Sequence, residues 1–168
     1  MPKIIENLRV RLMEEAKKQI VELGYASMTM RSIAKGCGVG IGTVYNYFPS
    51  KDALLAAYLL EDWNGCIAAI RKTVAAEASV DPVLQCIHTQ LLGFIRRHYR
   101  IVQDTRGATA ASVSSVQFHR LLRSQLAEPL RKFCTDDFLA EFLAEAMLDW
   151  TVAGKEFEEI YGILRKLL

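Results

Sequence analysis

The chain has 168 residues, of which 51% are hydrophobic and 24% charged, with only ten glycines and four prolines. This balance is typical of a globular protein of one or two small domains, and it argues against disordered, collagen-like and turn-rich all-β chains. The net charge is +2, but residues 1–55 carry eight Lys and Arg against five Asp and Glu, a local charge of +3. The excess of positive charge at this end indicates a polyanionic partner there.

Neither a membrane span nor a signal peptide is predicted. The longest apolar stretch without a charge, 83–95, is shorter than the roughly 20 residues that span a bilayer, and it contains Gln85, His88 and Gln90. The N-terminus lacks the apolar core of a signal peptide, so we expect a cytoplasmic protein. The four cysteines are scattered without a Cys-x-x-Cys pair, which predicts free thiols, and no cofactor is expected.

Helical periodicity begins in the first residues. Apolar side chains from Ile5 to Leu23 recur every three or four positions, and Gly24 follows as a C-terminal cap. Thr29 is placed to cap a short second helix that ends at Gly38, and a third helix is predicted over 41–48. Two short helices joined by a tight glycine turn form the helix-turn-helix pattern, whose second helix can enter the major groove of DNA.

The rest of the chain is also predicted to be helical. The fourth helix begins after the N-cap Ser50 and runs past Ile70, and residues 107–117 are predicted to be a loop or a weak helix. The later helices are predicted over 81–103, 117–133, 136–153 and 157–168. No strand pattern and no repeat is present. The fold class is therefore all-α, with an N-terminal three-helix helix-turn-helix domain, a C-terminal helical bundle and about nine helices in all.

A long string surrounds the predicted helix-turn-helix, and it is far more specific than the pattern itself. It reads Gly24-Tyr25…Thr29-Met30-Arg31-Ser32-Ile33-Ala34…Gly38-Val39-Gly40-Ile41-Gly42-Thr43-Val44-Tyr45-Asn46-Tyr47-Phe48-Pro49-Ser50-Lys51-Asp52. This string closely resembles the signature of the TetR family of bacterial transcriptional regulators. The resemblance covers about the first 55 residues, and the rest is similar only in helix order and length. The sequence departs from the common pattern at Gly40, where many members have Ser, and at Ile41, where many have a polar or charged residue.

The resemblance implies which residues contact DNA: Thr29, Arg31, Ile41, Gly42, Thr43, Tyr45, Asn46, Tyr47 and Lys51. Helical geometry supports part of this set, because inward Val44 and Phe48 leave Gly42 and Asn46 pointing outward. The Asn side chain can form two hydrogen bonds with one adenine, and glycine lets the helix backbone approach DNA closely. Lys51 lies in the first turn of a helix, where a phosphate is favoured by the ammonium and the helix amides. Taken singly, each residue is more typical of an ordinary helix surface or core edge, and only the joint pattern predicts DNA binding.

The resemblance also implies a homodimeric repressor, released from a palindromic operator by a small molecule. Residues 1–50 would bind DNA, and residues 51–168 would bind the effector and the second subunit. Aromatic and imidazole candidates for the effector pocket are Trp63, His88, Phe94, Tyr99 and Phe118. Apolar candidates for the dimer interface are Phe138, Phe142, Met147, Trp150, Phe157, Ile160, Tyr161 and Leu164. Ordinary core packing is the alternative for both groups.

Two other functions are compatible with the pattern. The chain could bind DNA without an effector, or it could be a helical ligand-binding domain or enzyme that retains a helix-turn-helix. We predict that the chain is not an enzyme, because its sequence contains no recognisable nucleophile–base pair and no glycine-rich phosphate-binding loop. Carboxylates recur every fourth residue at Asp137, Glu141, Glu145 and Asp149. They are predicted to be solvated or paired with Arg131 or Arg165, and no metal site is expected.

Overall fold

The computed structural model of the chain describes residues 7–99 and 113–168, with the side chains of 113–117 excluded. The described residues form eight helices and no strand, which confirms the all-α class and is close to the predicted count. The helices are α1 (Leu8–Leu23), α2 (Met30–Cys37), α3 (Ile41–Tyr47), α4 (Lys51–Ala76), α5 (Asp81–Arg97), α6 (Val113–Leu130), α7 (Asp137–Val152) and α8 (Phe157–Leu164).

Helix boundaries marked by a side-chain cap agree with the sequence, and other boundaries agree less well. Ser50 accepts a hydrogen bond from the Ala53 amide at 3.0 Å, and Asp136 accepts one from Leu139 at 2.8 Å, so both act as N-caps. In contrast, α6 begins at Val113, inside the segment predicted as a loop or weak helix, and α8 ends at Leu164. Both differences arise where composition gives no stop or start signal. The prediction that the fifth helix extends to 103 is wrong: α5 ends at Arg97 with His98 as its C-cap, and Arg96 and Arg97 occupy its last turn, where cations are favoured. The rest of the predicted loop lies outside the described residues.

The described residues divide into two compact units, of which the first contains residues 7–62 and Tyr99 and the second contains residues 63–98 and 113–168. In the first unit, α1, α2, α3 and the start of α4 enclose one core, which contains Leu12, Ala16, Ile20, Met28, Ile33, Val44, Phe48 and Leu54. Because Leu54 and Leu55 are buried there, the first turns of α4 belong to this unit by packing. The functional boundary proposed between residues 50 and 51 stays a prediction.

The second unit contains the remaining helices. Its buried residues include Trp63, Ile70, Leu84, Ile87, Leu91, Leu126, Leu130, Leu143 and Met147. Polar contacts join the helices at their edges: Trp63 Nε1 donates to Gln125 Oε1 at 2.7 Å, and Arg71 pairs with Glu128 at 3.2 Å. Lys132 donates to the carbonyl oxygens of Val74 and Glu77 at the C-terminal end of α4, where a cation is favoured by the helix dipole.

One helix in the described part of the chain, α4, is long and apolar enough to cross a membrane by length and composition alone. Its largest apolar side chains are already buried in protein cores, Leu54 in the first unit and Trp63 and Ile70 in the second. That burial accounts for the composition of α4 as a core helix.

Candidate nucleic-acid interface

The two short helices of the first unit are fixed by local capping. The Thr29 hydroxyl accepts from the Ser32 amide and the Ser32 hydroxyl accepts from the Thr29 amide, both at 3.0 Å, which is a reciprocal capping box. Gly38 ends α2 with φ +68°, a backbone conformation that favours glycine. Arg11 of α1 donates to the Cys37 carbonyl at 3.1 Å and so ties the end of α2 to α1. Thr29 thus has a structural role besides any contact with DNA.

Helix α3 has one buried side and one exposed side. Val44 is fully buried and Phe48, the residue after the helix, is 3% exposed. Tyr45 and Tyr47 are 48% and 40% exposed, and Ile41 is 39% exposed. Gly42 and Asn46 are exposed as well, and Thr43 is half-buried at the edge. The predicted DNA-contacting residues of α3 therefore form one continuous surface, and the buried side anchors them to the core.

Gly42 lies on this surface with open space around it. A methyl group added at its α-carbon would meet no heavy atom within 4 Å, apart from the helix's own nearby backbone and the adjacent residues. Packing inside the protein therefore does not require glycine at this position. The open space at Gly42 leaves room for another molecule to approach the α3 backbone.

Lys51 occupies the start of α4, as predicted, but it has partners within the protein. Its ammonium donates to the Ala26 carbonyl at 3.3 Å and lies 4.1 Å from the centre of the Tyr25 ring. Partial burial lowers the pKa of Lys51, while the nearby Asp52 opposes that change. The Tyr25 hydroxyl also donates to the Asp52 carboxylate. Lys51 and Asp52 together hold the turn after α1 against α4. No local sequence pattern indicates these contacts, because they form only when the turn after α1 folds back onto α4.

Arg31 and Lys35 are exposed on α2. With the exposed side of α3, they give the first unit a surface that combines hydroxyl, amide, aromatic and cationic groups. These are the side chains that proteins use on phosphates and base edges.

The five predicted effector-pocket residues do not form one group. Phe94 packs edge-on against Trp63, with ring centres 5.4 Å apart, and its ring centre is 6.4 Å from that of Phe118. His88 is elsewhere in the second unit, where it donates from Nε2 to the Lys155 carbonyl at 3.1 Å. Tyr99 is 58% exposed. Sequence reasoning missed His98, a buried residue whose ring centre is 4.6 Å from that of Phe94.

The predicted dimer-interface residues divide into two groups by burial. Met147, Ile160 and Leu164 are buried in the core of the second unit, where the residues of α7 and α8 face inward. Phe138, Phe142 and Trp150 are exposed, and Phe157 and Tyr161 are half-buried and stacked on each other, with ring centres 5.2 Å apart. The exposed group borders an open groove of about 350 Å³ between α7 and α8, lined by Phe142, Ala146, Trp150, Lys155, Glu159, Ile160, Ile163 and Leu164. Ile163, which is 65% exposed, was not predicted.

Three of the four carboxylates in the acidic stripe of α7 lie within ion-pair distance of an Arg or His side chain, and they remain partly exposed to solvent. Arg131 lies 2.9 Å from Asp137, as predicted, and Arg123 lies 3.7 Å from Glu145. His119 faces both Glu145 and Asp149, which the sequence did not indicate because the histidine comes from another helix.

Comparison with known proteins agrees with the geometry. The profile of bacterial regulatory proteins of the tetR family matches residues 12–58. The transcriptional regulator UidR of Escherichia coli is 33% identical over 79 residues, which cover 47% of this chain and 40% of that protein. The transcriptional repressor Rv1474c of Mycobacterium tuberculosis is 28% identical across 98% of this chain and 95% of its own length. The match to UidR thus spans less than half of that relative.

The fold is also similar to a solved structure along nearly its whole length. FadR of Thermus thermophilus, a tetR-family repressor in complex with lauroyl-CoA, superposes with a TM-score of 0.71 at 21% identity, covering 95% of this chain and 92% of that chain. The first unit is therefore a helix-turn-helix domain of the kind that transcriptional regulators use. Over residues 12–58 it is similar to the tetR family of bacterial regulatory proteins.

Proposed function

We propose that the chain is a homodimeric repressor that inserts α3 into the major groove of a palindromic DNA operator. The exposed surface of α3 carries this proposal, because it concentrates Ile41, Gly42, Tyr45, Asn46 and Tyr47 outside a core that Val44 and Phe48 hold. A surface of apolar and aromatic side chains on a short helix is otherwise unfavourable in water.

Each side chain has a distinct role in this proposal. Asn46 reads an adenine through two hydrogen bonds, and Ile41 contacts a thymine methyl group. Tyr45, Tyr47 and Thr43 donate from their hydroxyls to phosphates, and Arg31 adds a charged contact. Gly42 lets the α3 backbone approach the DNA. Lys51 has two possible roles. It contacts a phosphate after its hydrogen bond to the Ala26 carbonyl breaks, or it keeps that bond and positions the turn between α1 and α2.

The second copy of the chain is proposed to pack on the exposed face of α7 and α8. This face carries Phe138, Phe142, Trp150 and Ile163, each at least 45% exposed. Contiguous apolar patches of this kind mark interaction surfaces. Two copies would place two recognition helices on successive major grooves, which matches a palindromic operator.

An effector is proposed to bind in the second unit and to change the separation of the two DNA-binding units. FadR of Thermus thermophilus, whose fold is similar, is a repressor in complex with lauroyl-CoA, so long acyl thioesters are the first class to try. A regulator without an effector is the alternative, and the close packing of Trp63, Phe94 and His98 favours it. In both cases the protein acts in the cytoplasm and catalyses no reaction.

The test is binding of the purified protein to a labelled DNA fragment from upstream of its own gene. We expect selective binding over a scrambled fragment, with log affinity falling steeply against log salt because phosphate contacts release counterions. Equal affinity for both fragments would contradict the proposal. Lauroyl-CoA should then raise the melting temperature and release the DNA if an effector site exists. A melting temperature and a DNA affinity that both stay unchanged support the effector-independent alternative.

A further inference from the structure

Three possible metal ligands meet between α6 and α7. Nε2 of His119 lies 3.6 Å from Oε1 of Glu145 and 3.5 Å from Oδ1 of Asp149. All three ligand atoms lie within 4.8 Å of one another. Glu145 and Asp149 are four residues apart on α7 and so share one face of that helix, and His119 reaches them from α6. We infer that these residues bind a divalent transition-metal ion, with zinc as the first choice.

The distances from His119 are too long for direct hydrogen bonds and are compatible with an ion between the groups. A hydrogen bond from an imidazole nitrogen to an oxygen usually measures 2.7–3.2 Å, and both distances from His119 exceed this range. A tetrahedral zinc ion with bonds of 2.0–2.2 Å holds neighbouring ligand atoms about 3.3–3.6 Å apart. In addition, Nε2 of His119 is shielded from solvent and has no hydrogen-bond partner among the described residues. An ion between the three groups would satisfy this nitrogen.

The ligand types fit a specific class of metals. One imidazole and two carboxylates suit zinc, manganese and ferrous iron, whereas an all-oxygen set would favour magnesium or calcium. Three protein ligands leave a fourth position for water or a further ligand. The side chains of His119, Glu145 and Asp149 are 42%, 38% and 58% exposed, so an ion can enter from solvent.

Arg123 places a positive charge beside one of the ligands. Its Nε lies 3.7 Å from Oε2 of Glu145, which is an ion-pair distance and too long for a hydrogen bond, while the other oxygen of that carboxylate faces His119. Oε2 of Glu145, like Nε2 of His119, has no hydrogen-bond partner among the described residues. The competing state is an ion pair between a protonated His119 and the two carboxylates, with no metal, and the experiment below separates the two.

The test is a zinc titration of the full chain after removal of any affinity tag and dialysis against a chelator. Calorimetry should show one ion bound per chain, and the ion should raise the melting temperature because it binds only the folded state. His119→Ala and Asp149→Asn should each weaken binding by more than about 100-fold, since loss of even an outer partner costs 10–100-fold. Magnesium at the same concentration should bind far more weakly.

Glu141→Gln is the matched control, since it removes an exposed carboxylate from the same helix but outside the group. It should leave zinc affinity unchanged. Absence of saturable binding would mean that the group is an ion pair only, and it would overturn the inference. Unchanged zinc affinity in His119→Ala would also overturn it and would direct attention to the half-buried thiols of Cys86 and Cys134. Since no DNA is used, neither result bears on the proposed repressor function.

Discussion

The hydroxyl of Tyr25 donates a hydrogen bond to the carboxylate of Asp52, and this contact joins the turn after α1 to the first turn of α4. Both residues flank the helix-turn-helix, Tyr25 just before α2 and Asp52 just after α3. The Lys51 ammonium, which lies over the Tyr25 ring, completes the contact. The proposed DNA-binding surface is therefore supported by polar contacts between the segments that flank it, as well as by its core.

This contact predicts a sensitivity to alkaline pH. Burial raises the pKa of Tyr25 above its ordinary value, and the hydrogen bond and negative charge of Asp52 raise it further. The folded state thus favours the neutral phenol. Its stabilisation is complete below pH about 10, where unfolded tyrosine is also neutral, and is lost as the pH rises through the raised pKa.

Tyr25→Phe should lower the free energy of unfolding by about 1 kcal/mol at pH 8, because one hydrogen bond is lost. The difference from the unmodified protein should shrink above pH 10 in urea titrations. Tyr45→Phe, at an exposed tyrosine of α3, is the control. It should change neither the free energy of unfolding at pH 8 nor the dependence of that free energy on pH. A constant difference between pH 8 and pH 11 would contradict the assignment.

Gly42 offers a second prediction, in which stability and DNA binding change in opposite directions. Gly42→Ala should raise the free energy of unfolding by about 0.5–1 kcal/mol, because alanine is the better helix former and nothing obstructs the new methyl group. If the α3 backbone approaches DNA closely, the same methyl group should weaken operator binding. Thermal unfolding and fluorescence anisotropy measure the two effects.

Gly65→Ala is the matched control for Gly42. Gly65 also lies inside a helix with open space around it, but in the second unit. The substitution should stabilise the protein by a similar amount and leave DNA affinity unchanged. If Gly42→Ala binds the operator as tightly as Gly65→Ala does, then α3 does not approach DNA at this position.

The core of the first unit should depend on the beginning of α4. Leu54 is fully buried there. Leu54→Ala should therefore lower the free energy of unfolding by about 2–5 kcal/mol, because apolar burial is lost and a cavity remains. Leu23 is 58% exposed at the end of α1. Leu23→Ala should therefore change the free energy of unfolding by no more than about 0.5 kcal/mol. The midpoint of urea unfolding, followed by circular dichroism, tests both. Equal effects would show that α4 does not contribute to this core.

The proposed dimer predicts that a charge on the α7–α8 face separates the subunits. Phe142→Glu places a carboxylate at the edge of the groove, and burying it against a second copy is unfavourable. Sedimentation should change from dimer to monomer, and operator affinity should fall because only one half-site is then held. Val10→Glu, on the exposed side of α1, should remain dimeric. A Phe142→Glu variant that remains dimeric would place the interface elsewhere.

The sequence predicted those features of the fold that depend on neighbours along the chain. The side-chain caps at Thr29, Ser50 and Asp136 are local, so spacing alone locates them. The outward surface of α3 follows in the same way from the positions of Val44 and Phe48, which are four residues apart.

Features that depend on packing between distant segments were not predictable. Lys51 and Asp52 meet the turn after α1 only once that turn folds back, and His119 reaches Glu145 and Asp149 only once α6 packs on α7. The burial of Met147, Ile160 and Leu164 within the chain likewise depends on packing between helices and was not predictable. An apolar stripe shows that a helix face is covered, but it does not show whether the same chain or a second copy covers it.

The most direct test of the proposed function compares the operator affinity of the unmodified protein with that of Asn46→Ala. Asn46 is exposed on α3, so its loss should leave the melting temperature unchanged. Anisotropy at fixed salt should show affinity weaker by about 5- to 150-fold, the equivalent of 1–3 kcal/mol for one base contact. Gln85→Ala, an exposed change on α5, should bind like the unmodified protein. Equal operator affinity for Asn46→Ala and the unmodified protein would contradict the proposal that α3 reads DNA through this residue.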